Sequence, residues 1–123
     1  MDRTIKFRGR CDKNSRYAGE WVEGGLIQCA DGTTLIVSAP SDSCQSTYHV
    51  DPDTVCQFTG VTDSCGNELY EHDYVRTKRN AEPLEILWSK AHLAFVIKYD
   101  DQLVIKLGDI LPESLTKVSN AFD

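Results

Sequence analysis

The sequence predicts a mainly β protein of short antiparallel strands with little helix. Its apolar residues come in short runs that are rich in β-branched and aromatic side chains, as is typical of strands. Clusters of Gly, Asp, Asn, Ser and Pro separate these runs at intervals of about ten residues. No stretch shows a long 3.6-residue period, and only residues 112–118 are predicted to form a short helix.

Turn residues divide the chain into nine predicted strands. Asp31-Gly32 predicts a tight hairpin between the second and third strands. Gly66-Asn67 predicts a chain reversal between the fourth and fifth strands, and Asp100-Asp101 closes the last pair. The predicted strands cover residues 5–8, 20–28, 33–38, 54–62, 68–70, 74–78, 82–88, 92–99 and 102–106.

Composition suggests an internal boundary between two β-rich parts. Residues 1–40 form an N-terminal β sub-unit, and the Ser-rich segment 41–49 reads as an exposed loop. Short strands joined by hairpins tend to close on themselves to hide their edges, so residues 50–123 are predicted to form a small SH3-like, barrel-like portion. The two parts can also make one continuous domain.

Length and hydropathy indicate a folded cytoplasmic protein. The 123 residues are 41% hydrophobic, which suits one compact domain or two very small ones. No apolar run approaches the roughly 20 residues that cross a bilayer, and the first residues lack the apolar core of a secretory signal. We therefore expect no membrane partner.

Charge is distributed unevenly along a chain whose net charge is −6. Residues 1–16 carry six basic and two acidic side chains, whereas residues 17–75 carry ten acidic side chains and no Lys or Arg. The favoured interpretation is that the basic segments neutralise the acidic one within the chain or across a subunit contact. The alternative is an acidic face for a cationic partner, or one that imitates DNA. The residues proposed for that face are Glu20, Glu23, Asp51, Asp53, Glu68, Glu71 and Asp73.

The five cysteines predict reduced thiols. Their number is odd and no CxxC pair occurs, which argues against a disulfide framework. Cys44, Cys56 and Cys65 could be combined with His49 and His72 into a zinc site, but the close Cys pairs of structural zinc sites are missing. We expect neither metal nor cofactor, and we expect Cys65, in a predicted turn, to be exposed.

The sequence contains no recognised catalytic arrangement. His49, His72 and His92 lie on different predicted elements without a Ser or Cys partner at a known spacing. Asp51 and Asp53 flank Pro52, a pattern that favours a turn capped by an Asp side chain. We therefore predict that the protein is not an enzyme and name no catalytic residue.

One segment combines an aromatic ring with basic side chains. The aromatic residues on predicted strands are expected to pack in the core. Tyr74 alone has Lys and Arg neighbours, namely Arg76, Lys78 and Arg79, and such a ring could stack on a nucleic-acid base. An acidic chain is poorly suited to binding phosphates, so this is the second choice.

Three segments together resemble the YopX family: residues 5–9, residues 19–24, and residues 50–55 continuing through 57–60. The resemblance covers nearly the whole chain and implies a mainly β fold, an origin in phages or prophages, and self-association. It implies no catalytic residue. The family usually has glycine where this chain has Cys56 and His72, so His72 is expected to be mildly strained if its φ is positive.

These observations favour a non-catalytic accessory protein of a phage or prophage in the cytoplasm of the bacterial host. It is expected to act by association with itself or with a host or phage protein, through sheet edges and the acidic segment. The alternative is a role with nucleic acid, either through the Tyr74 to Arg79 region or by acidic mimicry of DNA.

Overall fold

A computed structural model describes residues 3–41, 44–78, 80–100 and 103–122. Within them the chain forms eleven strands and three 3₁₀ turns of three residues each. In chain order the strands are β1 (Phe7–Arg10), β2 (Trp21–Gln28), β3 (Thr34–Ser41), β4 (Cys44–His49), β5 (Cys56–Thr62), β6 (Glu68–Tyr70), β7 (Asp73–Thr77), β8 (Asn80–Ser89), β9 (Ala94–Lys98), β10 (Val104–Lys106) and β11 (Leu115–Asn120).

The strands pair in two antiparallel sheets, which confirms the predicted fold class. Hydrogen-bonded neighbours follow the order β4-β3-β2-β1-β5-β6 in one sheet and β10-β9-β8-β7-β11 in the other. The prediction of a closed barrel is wrong. Closure requires the first and last strands of a sheet to pair with each other, and here β10 and β11 lie at opposite ends of theirs.

The chain divides into two compact units, Met1–Gln57 and Phe58–Asp123, called here the N-terminal and C-terminal units. The boundaries at residues 40 and 50 that the sequence suggested stay a prediction. The segment between them differs from expectation, because residues 44–49 form strand β4 rather than an exposed loop. β4 pairs with β3, with Ile36 opposite Tyr48.

Close backbone approach shapes the core of the N-terminal unit. A side chain at Gly9 of β1 would press on Ile36 and Val50, both of which are buried. The hairpin between β2 and β3 turns at Gly32 as predicted, with a φ of +93° that favours glycine. The Asp31 carboxylate accepts a hydrogen bond from the Thr33 N–H at 2.9 Å and fixes this turn.

The C-terminal unit has a continuous apolar core. Gly66, with a φ of +84°, reverses the chain between β5 and β6 as the sequence predicted. The predicted helix over 112–118 is wrong beyond its first turn, because a 3₁₀ turn at Pro112–Ser114 leads directly into β11. Burial of Leu115 in the sheet favours the extended conformation. The buried core residues are Leu69, Val75, Ile86, Ile97, Leu107 and Leu115.

No helix in the described part of the chain has the length and apolar character needed to cross a bilayer.

Candidate functional site

The terminal strands of the two sheets differ in how well their edges are protected. β6 and β10 are only three residues long, and β11 carries Lys117 beside a β-bulge. Short length, lysine and bulges are devices that keep an edge from pairing with another chain. The six residues of β4, CQSTYH, include no Lys, Arg, Asp, Glu or Pro, and the register shift in its pairing with β3 lies toward its N-terminal end, between Ser38 and Ser41.

The backbone pattern shows which groups of β4 point away from β3. The Val50 N–H donates to the Thr34 carbonyl at 3.1 Å. In an antiparallel ladder, hydrogen-bonded pairs alternate with non-bonded pairs. His49, Thr47 and Gln45 therefore direct their N–H and C=O groups outward. The His49 carbonyl accordingly accepts a hydrogen bond from the Asp12 N–H at 3.1 Å, on the side away from β3.

Side chains fix β4 in place against the N-terminal unit. Ser46 and Tyr48 are half-buried on the same side as Ile36, whereas Gln45, Thr47 and His49 are exposed. The Tyr48 ring meets that of Tyr17 edge to face at a centroid distance of 5.6 Å. β4 is thus an ordered edge with outward backbone groups at Gln45 and Thr47.

A cavity of about 620 Å³ lies in the N-terminal unit. Its charged lining comprises Arg10 and Lys13 together with Asp12 and Asp51. The buried thiol of Cys11 also lines it; burial and, to a smaller extent, the nearby carboxylates raise the pKa of that thiol. Because its opposite charges balance, the cavity has no marked preference for an anion or a cation.

Two guanidinium groups pack on one indole in the N-terminal unit. Arg8 and Arg10 place their Cζ atoms 5.1 and 4.9 Å from the centre of the Trp21 ring. Arg10 stands opposite Trp21 in the β1–β2 register, which brings these groups together. Cation–π contacts of this kind stabilise the sheet face. Through these contacts, two basic side chains of the segment 1–16 pack within the N-terminal unit.

The residues proposed for an acidic face have different environments. Asp73 is fully buried: its Oδ2 accepts the Tyr70 N–H at 2.7 Å and lies 3.5 Å from Lys117 Nζ. It is therefore a structural group and not a surface one. Of the others, Glu20, Glu23 and Asp53 are exposed, and Asp51, Glu68 and Glu71 are half-buried.

The turn predicted at Pro52 is confirmed. The Asp51 Oδ1 accepts the Asp53 N–H at 3.0 Å and opens the 3₁₀ turn Pro52–Thr54. The Thr54 hydroxyl in turn accepts the Arg10 N–H at 2.9 Å. This arrangement ties the turn to β1.

The proposed nucleic-acid region is partly described. Tyr74 is half-buried on β7, and Arg76 and Lys78 are exposed. Tyr74 and Arg76 alternate onto one face of the strand, opposite the buried Val75. Glu85 stands opposite Tyr74 in the β7–β8 register, and its Oε2 lies 2.7 Å from His72 Nδ1. Arg79 lies outside the described residues.

The histidines occupy separate elements. His49 lies at the end of β4, and His92 contacts Ser89 Oγ at 2.8 Å within an exposed hairpin turn. His72 has a φ of +70°, as expected if its turn requires a positive value. Its Nδ1 lies 2.7 Å from Glu85 Oε2.

All five cysteines are reduced thiols, and the described residues contain no disulfide. Cys65 is exposed as predicted, and so are Cys29 and Cys44. Cys56 is buried, and its Sγ donates to the Thr54 carbonyl at 3.3 Å, so its strand has room for this side chain. In the described ranges, no cluster of three or more His, Cys, Asp or Glu residues could hold a metal ion.

Fold and site together define an antiparallel two-sheet protein with one long, uncharged edge strand. A family model described as YopX protein matches residues 6–120. The chain therefore belongs to the YopX family. A comparison with curated proteins finds no match.

Proposed function

We propose that the protein acts by associating with a second copy of itself, with β4 of one copy pairing antiparallel to β4 of the other. The observation that supports this proposal is the unprotected edge of β4, where Gln45 and Thr47 direct backbone hydrogen-bonding groups outward. An exposed strand edge is a template for addition of another strand.

A second copy suits this edge because β4 carries no Lys, Arg, Asp or Glu side chain. A twofold axis perpendicular to the sheet brings residues of the same face opposite one another. With the axis at Thr47, Thr47 faces its own copy and Ser46 faces Tyr48, whereas the His49 carbonyl keeps its hydrogen bond from Asp12. Such polar and aromatic pairs are favourable across strands, whereas like charges are not.

Net charge also favours this edge over other surfaces of the molecule. The chain carries −6, so two copies repel one another in general. Contact through an uncharged strand keeps most of the acidic side chains apart. A single strand pair buries little surface, so we expect a dimer that dissociates on dilution.

The proposed role is non-catalytic. His92 contacts Ser89 within its own turn, and His72 contacts Glu85 of β8. We extend the resemblance to phage and prophage proteins to propose an accessory role in the bacterial cytoplasm. A host or phage protein that supplies an extended strand could pair with the same edge.

Sedimentation equilibrium over a range of concentrations tests the proposal. The wild-type chain should shift from its monomer mass of 13.8 kDa toward twice that value as concentration rises. Thr47→Pro removes an outward N–H from the edge, where proline is tolerated, and should leave only the monomer. Thr47→Val keeps the N–H and the β-branched shape, and it should dimerise like the wild type.

Two results would contradict the proposal. One is a wild-type chain that stays monomeric at every concentration. The other is dimerisation of Thr47→Pro with wild-type affinity, which would place the contact elsewhere. Circular dichroism of the Thr47→Pro variant should match the wild type, so that loss of the dimer is not loss of fold.

A role with nucleic acid is the second proposal. It is supported by Tyr74 and Arg76, which share one face of β7 with Lys78 following. Affinity for a short single-stranded oligonucleotide should fall steeply with salt, and Lys78→Gln should reduce the salt slope. Absence of salt-dependent binding would exclude this role for the region.

A further inference from the structure

The hairpin between β8 and β9 presents large apolar side chains to solvent. Its turn is formed by residues 90–93, with Ser89 opposite Ala94. Leu93 in this turn is 76% exposed, and Trp88 on the adjoining strand is 49% exposed. We refer to Trp88, Lys90 and Leu93 together as the hairpin tip.

Leu93 occupies a conformation that does not suit it. Its φ is +50°, in the left-handed region where glycine and asparagine are favoured and a leucine costs free energy. Strain at an exposed residue brings no packing benefit within the C-terminal unit. Strained residues tend to occur where binding requires them.

The tip is held in a defined shape. Ser89 Oγ accepts the His92 N–H at 3.2 Å and lies 2.8 Å from His92 Nδ1. The Trp88 ring meets that of Phe95 at 73° with centroids 5.1 Å apart. Phe95 packs against the buried core of the C-terminal unit, so its contact with Trp88 fixes the position of the indole ring.

The hairpin is locally basic, although the chain as a whole is acidic. Residues 86–99 contain Lys90 and Lys98 and no Asp or Glu, although the whole chain carries −6. Lys90 is exposed within the turn itself. The local field therefore favours an anionic partner.

We propose that the hairpin tip docks on an anionic lipid surface. Tryptophan is favoured at the level of lipid headgroups, leucine inserts at the boundary with the acyl chains, and lysine is attracted by acidic headgroups. A protruding turn enters a deformable surface without needing a matching pocket. The cavity of a second copy is a less suitable site, because four charged residues, Arg10, Asp12, Lys13 and Asp51, share its lining with apolar ones.

This inference is independent of dimer formation and of membrane-spanning segments. The sequence argued against a membrane partner because no segment is long enough to cross a bilayer. Contact by a turn at the surface needs no such segment. Dimerisation would strengthen binding by bringing two tips to one surface.

Co-sedimentation with lipid vesicles tests the proposal. The wild-type protein should bind vesicles of equimolar phosphatidylcholine and phosphatidylserine, more weakly at high salt, and should bind vesicles of phosphatidylcholine alone far less. Leu93→Asn should reduce binding by about fivefold, since the inserted side chain is lost. Its melting temperature should equal or exceed that of the wild type, because asparagine tolerates the positive φ.

Leu111→Asn is the matched control. Leu111 is 72% exposed, but it lies between Asp109 and Glu113 in the sequence. This variant should bind vesicles like the wild type. Equal binding of Leu93→Asn and the wild type, or no preference of the wild type for phosphatidylserine, would overturn the proposal. In that case an acidic protein surface would become the partner to test.

Discussion

The Asp63 carboxylate joins two distant parts of the C-terminal unit by accepting a hydrogen bond from the Lys117 N–H at 2.8 Å, across 54 residues of sequence. Its other oxygen accepts the N–H groups of Cys65 and Asn67 at 2.9 and 2.8 Å. One buried side chain thus holds the turn between β5 and β6 against β11. A lone Asp in a turn sequence would not have indicated this role.

Asp63 should make the stability of the protein depend on acid. Burial raises the pKa of its carboxyl, but the hydrogen bonds from Lys117, Asn67 and Cys65 lower it more, so the net pKa lies below the usual 3.8. A group with a lower pKa in the folded state stabilises the protein above its unfolded pKa. That stabilisation is lost as pH falls through the folded pKa.

The Asp63→Asn variant should therefore lose about 2 kcal/mol of unfolding free energy at neutral pH, because a neutral amide replaces an ionised acceptor. The loss should shrink as pH falls below about 4. Urea denaturation at several pH values measures both effects. Asp53→Asn, at an exposed carboxylate, is the control and should change stability by less than about 0.5 kcal/mol. A pH-independent loss for Asp63→Asn would refute this account.

Two adjacent glycines in β2 should differ in how strongly alanine destabilises the protein. Gly24 has a φ of +154°, and a Cβ there would overlap the carbonyl of Val37, whereas a Cβ at Gly25 meets nothing within 4 Å. Gly24→Ala should destabilise the N-terminal unit by more than about 2 kcal/mol, because backbone must move. Gly25→Ala should change stability by less than about 1 kcal/mol. Thermal denaturation of the two variants measures this difference in stability. Equal losses of stability in both would contradict the prediction.

The positive φ of His72 should be measurable through two substitutions. Glycine and alanine both remove the ring and its contact with Glu85, but only glycine adopts a φ of +70° without steric strain. His72→Ala should therefore be less stable than His72→Gly by about 1 kcal/mol. Chemical denaturation of both variants gives the difference directly. An alanine variant as stable as the glycine variant would show that the turn relaxes.

Much of the strand pattern could be predicted from sequence because it follows local chemistry. Alternating apolar runs and the turn residues at Gly32 and Gly66 mark strands and reversals on their own. β4 was not predicted from the sequence, because its residues are mostly polar. It is a strand because it pairs with β3, and not because apolar residues alternate along it. Its signal was limited to Thr47 and Tyr48, both of which favour strands.

Other features depend on contacts between distant residues. β11 overlaps the segment 112–118 that was predicted to be a short helix, yet burial of Leu115 selects the extended form. Asp73 looked like a surface carboxylate, and only the fold places it beside Tyr70 and Lys117. The candidate edge was missed for the same reason, since an edge is defined by which strand lacks a second neighbour.

Amide hydrogen exchange at Thr47 tests the proposed self-association most directly. The Thr47 N–H points away from β3, so the proposed dimer protects it through a hydrogen bond to a second β4 strand. Exchange should be slow at high protein concentration and become fast on dilution, whereas the Tyr48 N–H, which faces β3, should stay protected at both. Fast exchange of the Thr47 N–H under conditions in which the protein sediments as a dimer would contradict pairing through β4.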